Sequence, residues 1–347
     1  MTPWSAVIEI WTLTRKDPMM KRRDVLMLCL AAVAQRALPT SAAYAQSRYP
    51  ERPIRLVVPF PPGGIYDAVG RPWAERMKTL LGTIVVENQG GAGSSLGAAA
   101  VARSQPDGYT ILLGGISALV INPLAASRPP YDPVRDFEPI AILGHSSSTI
   151  VVHPSLPVRD LKELIAYAKA NPGKLSYGSS GVGSINHLAG ELLKSLAGID
   201  IPHVPYRGAG PAMTDLIGGQ IQVNVQSVSG QVIELHRGGK LRMLAVTSPA
   251  RLEAASEIPT AVESGLPGLV AQQFIGLFAA RATPKAIIDQ VADATHKALA
   301  AREFQQAFLS LGFEPALDLG PEQTRRVVAE EITRWTPLIK SIGLKLD

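Results

Sequence analysis

The stretch Pro53-Ile-Arg-Leu-Val-Val-Pro-Phe-Pro-Pro-Gly-Gly-Ile-Tyr-Asp67 constrains the fold more than any other part of this chain. Ile54 to Val58 is a β-branched, apolar run and reads as a buried strand. The prolines that follow stop it, because proline donates no ladder hydrogen bond. Gly63-Gly64 opens backbone conformations closed to other residues. Asp67 then stands where a helix N-cap is expected, ahead of a helical pattern over Ala68–Met77. A strand, a Gly-rich turn and a helix start leave backbone N–H groups unpaired, and such a place favours an anion. A plain strand-to-helix connection without ligand fits the same stretch.

The layout returns further on. Leu175-Ser176-Tyr177 reads as a strand, Gly178 to Ser184 as a Gly/Ser turn, and Asn186–Leu196 as a helix. Between the two lie a strand over Thr83–Asn88, a Gly-rich turn over Gly90–Gly97, a helix over Ala98–Arg103 and a strand over Tyr109–Leu113 running into Gly114-Gly115-Ile116-Ser117. Phe137–Leu143 and Thr149–Val152 read as separate extended runs. Leu161–Ala170 is helical and is stopped by Asn171-Pro172-Gly173. Ile201–Tyr206, Gln220–Gln226, Leu241–Thr247 and Gln272–Ala280 supply more strands, and Pro284–Ala301 and Pro321–Ile342 long helices with proline near the first turn. Strands alternating with helices predict an α/β fold with parallel sheets. We expect two similar α/β domains with a ligand cleft between them, one from residues 46–147 and 271–347, the other from 148–270.

The N-terminal region is set apart. Met20-Lys21-Arg22-Arg23 is a basic start, Val25–Ala34 an apolar run too short to span a bilayer, and Ala43-Tyr44-Ala45 a small-x-small cleavage site. A signal peptide over residues 1–45, cleaved after Ala45, and a periplasmic address are therefore expected. Met1 and Met20 both remain candidate starts, and Sec and twin-arginine export both remain open. Removing those residues leaves 302 of the 347, enough for two domains. The single cysteine, Cys29, goes with the signal, so disulfides and thiolate catalysis are excluded from the mature chain. The formal charge of +5 falls to +2, from 28 Lys/Arg against 26 Asp/Glu, which gives no footing for nucleic acid.

Chemistry-bearing motifs are sparse. Gly91 to Gly97 spaces its glycines G-x-G-x-x-x-G, one residue too long for a dinucleotide fingerprint, and no Walker loop is present. The six histidines show no metal-ligand spacing. No cofactor and no metal are expected. Ser179 or Ser184 with His187 would be a nucleophile pairing, but His187 reads better as a helix-face residue lining or flanking the cleft. Arg207 has two readings, a carboxylate clamp or a solvated strand end. Phe60, Tyr66, Tyr206 and Phe274 are candidate pocket walls, with Tyr66 and Tyr206 favoured because both adjoin Gly-rich turns.

Tyr49–Asp67, Val86-Glu87-Asn88, Pro106–Thr110, Tyr177–Ser184, His187–Glu191, His203–Gly208, Thr214–Gln220 and Ile258-Pro259-Thr260 together resemble the tripartite tricarboxylate transporter receptors, also called Bug proteins. The resemblance spans nearly the whole mature chain. It implies a type II periplasmic binding fold whose two domains close on a small carboxylate and hand it to a membrane permease. No catalysis is implied, and a monomer is expected. An extracytoplasmic sensing subunit is the runner-up. The family's binding loops match Pro59–Asp67 and Gly178–His187, which brings Phe60, Gly63, Gly64, Tyr66 and Asp67 into the expected site. Ser179, Gly183, Ser184 and His187 enter with the second loop, and Ser117, Tyr206, Arg207 and Gln226 complete it. Two departures stand out. Tyr66 replaces the usual Ser or Thr, and Gln226 stands where an aspartate is common. The second suggests an organic acid without an amine, aromatic acids included.

Overall fold

The computed structural model describes residues 49–318 and 320–346, so the expected signal over 1–45 lies outside the described residues. Its frame is one ten-stranded sheet. The first half contains β1 (Ile54–Val58), β2 (Ile84–Asn88), β3 (Thr110–Gly115), β9 (Gln272–Ala280) and the short β10 (Glu314–Pro315). The second contains β5 (Tyr177–Ser179), β6 (His203–Pro205), β7 (Val223–Ser227) and β8 (Arg242–Val246). The sixteen-residue strand β4 (Phe137–Val152) belongs to both.

Helices cover the faces. The first half carries α1 (Ile65–Leu80), α2 (Ser95–Ala102) and the short α3 (Asn122–Ala125). The second carries α4 (Leu161–Ala170), α5 (Ile185–Ala197), α6 (Ala209–Ile217) and α7 (Gly230–Arg237). The chain then adds α8 (Lys285–Leu299), α9 (Arg302–Ser310) and α10 (Pro321–Ser341). No helix among the described residues is long and apolar enough to cross a membrane.

Strand alternation builds the core. In β1, Leu56 and Val58 face one apolar cluster with Trp73, Met77 and Phe308, while Val57 faces the other with Leu112, Phe274 and Trp335. Successive side chains of a strand point to opposite faces, so a sheet covered on both sides needs an unbroken apolar run. Ile54-Arg-Leu-Val-Val58 comes close to such a run, broken only by the exposed Arg55.

Two expectations need correction. The sheet is not wholly parallel: β1, β2 and β3 pair in parallel, as do β5, β6 and β7, but β4 and β9 run antiparallel to their neighbours. The runs expected at 137–143 and 149–152 are one strand. Gly144 to Ser148 looked like an interruption, yet these residues are half-buried or buried in the ladder, where the antiparallel partners satisfy their backbone. Near Ser147 and Ser148 the strand changes partners, from Gln272 of β9 to Ser227 of β7. The amide of Ser148 donates to Ala271 O and Thr247 Oγ1 at that crossing.

Candidate functional site

The helix after β1 begins earlier than expected. Gly64 is the residue ahead of α1, extended at φ −83°, ψ 177°, with no side-chain cap bond. Asp67 lies inside the first turn and acts in reverse: its buried carboxylate accepts the Gly63 N–H at 3.1 Å, Arg71 Nε at 2.9 Å and Asn88 Nδ2 at 3.1 Å. The Arg71 hydrogen bond, with the Gly63 and Asn88 bonds behind it, holds this carboxyl below the usual carboxylate range despite its burial. Asn88 Nδ2 also donates to Phe60 O at 3.0 Å, so one amide fixes both ends of the loop. Of the two glycines only Gly63 needs to be one, at φ +82°; Gly64 has a conformation open to any residue.

The second Gly-rich turn is fastened without charge. Ser184 is the N-cap of α5: its Oγ accepts the His187 N–H at 3.1 Å and donates to Gly181 O at 2.7 Å. Gly183 N–H donates to His187 Nδ1 at 3.3 Å, which requires that nitrogen unprotonated. The His187 ring stacks on His203 at 4.2 Å, and His203 Nε2 lies 2.7 Å from Ser179 Oγ. Burial pushes both imidazoles down, His203 to about 4. Ser148 Oγ donates to Asn186 Oδ1 at 2.8 Å, and Asn186 Nδ2 to Ser180 Oγ at 2.9 Å. The turn is thereby tied to the partner-changing point of β4.

Both turns reach a cavity of about 680 Å³. Phe60 borders it from the first loop, Ser117 from beyond β3, and Gly183 and Ser184 from the second. The other expected residues lie off its wall. Gly63 and Gly64 are exposed at the loop's outer turn. Tyr66 is buried in the core against the Phe60 ring at 4.4 Å, with its hydroxyl unpartnered and its ionisation pushed up by burial. Asp67 and His187 sit behind their loops as fasteners, and Ser179 is fully buried with its hydroxyl 2.7 Å from His203 Nε2. Tyr206 turns to Asp215 at 2.8 Å; burial, with Asp215 second, pushes its phenol up to about 12. Arg207 is exposed and makes no ion pair among the described residues. Gln226 is buried in β7, accepts Asn224 Nδ2 at 3.1 Å and is not among the residues lining this cavity.

Several residues that line the cavity were not among those expected. The Gly91–Ser94 turn, read as a Gly-rich turn but left out of the expected site, supplies Ala92, Gly93 and Ser95 to the wall. Its signal was available, since it is a third strand–glycine–helix junction. Asn122 lines the cavity and donates from Nδ2 to Gly93 O and, at 3.1 Å, to Ser94 Oγ. Arg128 and Leu346 also line it, and no local pattern marks either. Among the described residues the wall thus offers serine hydroxyls, one guanidinium and the N-terminus of α5, and no Asp or Glu. That set suits an anion. A second cavity of about 630 Å³, beside Pro129–Asp136, carries Asp132 and Asp136 and lacks this character. Among the described residues no three His, Cys, Asp or Glu side chains converge as a metal set.

Comparison with known proteins agrees with this geometry. Protein BugT of Bordetella pertussis is 36% identical over 317 residues, covering 91% of this chain and 95% of BugT. The structure of R. palustris Rpa4515 with adipate superposes with a TM-score of 0.74 at 32% identity, covering 86% of this chain and 99% of that one. MatC from Rhodopseudomonas palustris with bound malate gives 0.72 at 31%, covering 84% and 100%. Residues 69–344 match the model of the TctC family, so this chain belongs to the tripartite tricarboxylate transporter family receptors.

Proposed function

We propose that this protein is a periplasmic solute-binding receptor that captures a small organic carboxylate and passes it to a membrane permease. One observation carries the ligand class: the described residues of the cavity wall combine serine hydroxyls, a helix N-terminus and Arg128, with no Asp or Glu among them. An anion gains from these groups, whereas a ligand amine finds no counter-charge among them. Adipate and malate, held by the two Rhodopseudomonas relatives, are acids of this kind. The family is one of receptors rather than enzymes.

The finer reading is of two lobes, residues 46–147 with 271–347 and residues 148–270. They close about the crossing of β4 and β9 by hinge motion. The changes of strand partner at Ser147 and Ser148 support it. Export follows cleavage after Ala45, supported by the basic start, apolar run and Ala-Tyr-Ala site. The delivering receptor works as a monomer.

Thermal unfolding against mono-, di- and tricarboxylates, aromatic acids and amino acids tests the reading. A bound acid at a hundred times its Kd adds about 2.7 kcal/mol and raises Tm by a few degrees. A shift with amino acids alone, or with no acid, overturns it.

A further inference from the structure

We infer that the segment following α10 forms one wall of the ligand cleft and that Leu346 determines which acids fit; the inference rests on the carboxylate-receptor reading. The segment is anchored, not loose. Gly343 turns the chain at φ +62°, and Leu344 N–H donates back to Ile339 O at 3.2 Å, closing the helix end. Ile342 and Leu344 pack on the main apolar core. The chain then runs to α3, where Leu346 N–H donates to Ala125 O at 3.0 Å.

The Leu346 side chain lies on Gly183. A Cβ built at Gly183 would stand 2.7 Å from Leu346 Cδ1 and 3.1 Å from Cδ2. One residue therefore touches α3 through its backbone and the second Gly-rich turn through its methyl groups. It lines the same cavity as Ser117, Ser184 and Arg128, and joins Phe60, Pro130 and Val182 in its apolar lining. Leu346 also lies beyond residues 69–344, so the family match does not supply it.

Such a wall acts on size and polarity. It removes room beside Gly183 and favours a ligand that presents methylene groups there while its charge meets the hydroxyl side. Pockets of this kind discriminate one methylene by roughly tenfold or more.

The test is calorimetric titration of the full chain and of Leu346→Ala with straight-chain mono- and α,ω-dicarboxylic acids of increasing length. Leu346→Ala is expected to lengthen the best-bound acid by at least one methylene. The long-to-short affinity ratio should change by roughly tenfold. Leu346→Met, of similar volume, should keep the parent profile. One common factor for every acid, or no change, overturns the inference. Should the parent chain bind no acid at all, the carboxylate reading falls on its own, and hydrogen exchange without ligand decides the wall. Faster exchange at Gly181–Ser184 in Leu346→Ala supports the contact, and unchanged exchange overturns it.

Discussion

The two Gly-rich turns that reach the cleft share one layout and are held by opposite means. The turn after β1 is fastened by a buried carboxylate, Asp67, with Arg71, Asn88 and the Gly63 amide around it. The turn after β5 is fastened by unprotonated imidazole and hydroxyl groups, His187, His203, Ser179 and Ser184. The first places one side chain, Phe60, on the cavity; the second places Gly183 and Ser184 there. A repeated pattern therefore sets where a turn goes. The groups packed behind it set what it shows to the ligand and when it loosens.

The largest expected effect breaks the first fastening. Asp67→Ala leaves the Gly63 amide and Arg71 without their acceptor and should cost about 2–3 kcal/mol, with a Tm loss of several degrees and weaker ligand binding. Asp67→Asn should lose less, because it keeps an acceptor oxygen. Equal stability of parent and Asp67→Ala in a urea melt would end the claim that this carboxylate holds the turn.

Glycine substitutions sharpen the comparison. Gly183→Ala forces a side chain into φ +75° and onto Leu346, and should cost about 1–2 kcal/mol together with ligand affinity. Gly64→Ala, at φ −83° with Pro61 O no closer than 3.7 Å, should be nearly silent in both. Paired melts and titrations decide it; the reverse order would show that the first turn is the demanding one.

Ser184→Ala removes the cap of α5 and should cost about 1 kcal/mol. The comparison predicts that it moves hydrogen exchange at the second turn and leaves the first unchanged.

The smallest effect is on pH. The folded pKa of His203 lies near 4, below its unfolded value of about 6.5, and that of His187 is also lowered. Between these values the unfolded chain binds more protons, so stability falls as pH drops from about 6.5 toward 4. Glu191 opposes this lowering and Lys194 adds to it. Half-buried His145, with its value also lowered to about 4 by burial, adds a background in the same direction. Asp67 has a lowered pKa too, but its contribution is complete above about 4 and is lost only below that. Melts of parent and His203→Gln from pH 7 to 4.5 should show a flatter slope in the variant. Identical slopes would count against a histidine fastening.

Much of the frame could be read locally. The helix at Leu161–Ala170 and the strand at Gln272–Ala280 lie where expected, because apolar period, proline and turn residues are local signals. The Gly-rich turns were found for the same reason. The first helix was read three residues short, since Asp67 looks like a cap until Gly63 is seen to be its partner. Side-chain direction was not legible in the same way. Tyr66, Tyr206 and Gln226 adjoin the expected loops or strand, yet none of them lines the cavity of about 680 Å³.

The sequence by itself determined the α/β alternation, the strand–turn–helix junctions and the family, because each depends on residues close together in the chain. The tertiary structure alone decided which side chains line the cavity of about 680 Å³. Asn122, Arg128, Ser184 and Leu346 share one wall only because β4 threads both halves of the sheet and the chain after α10 returns to Ala125. The direction of a side chain follows from strand register and from packing against partners far along the chain, and neither is written in its neighbours.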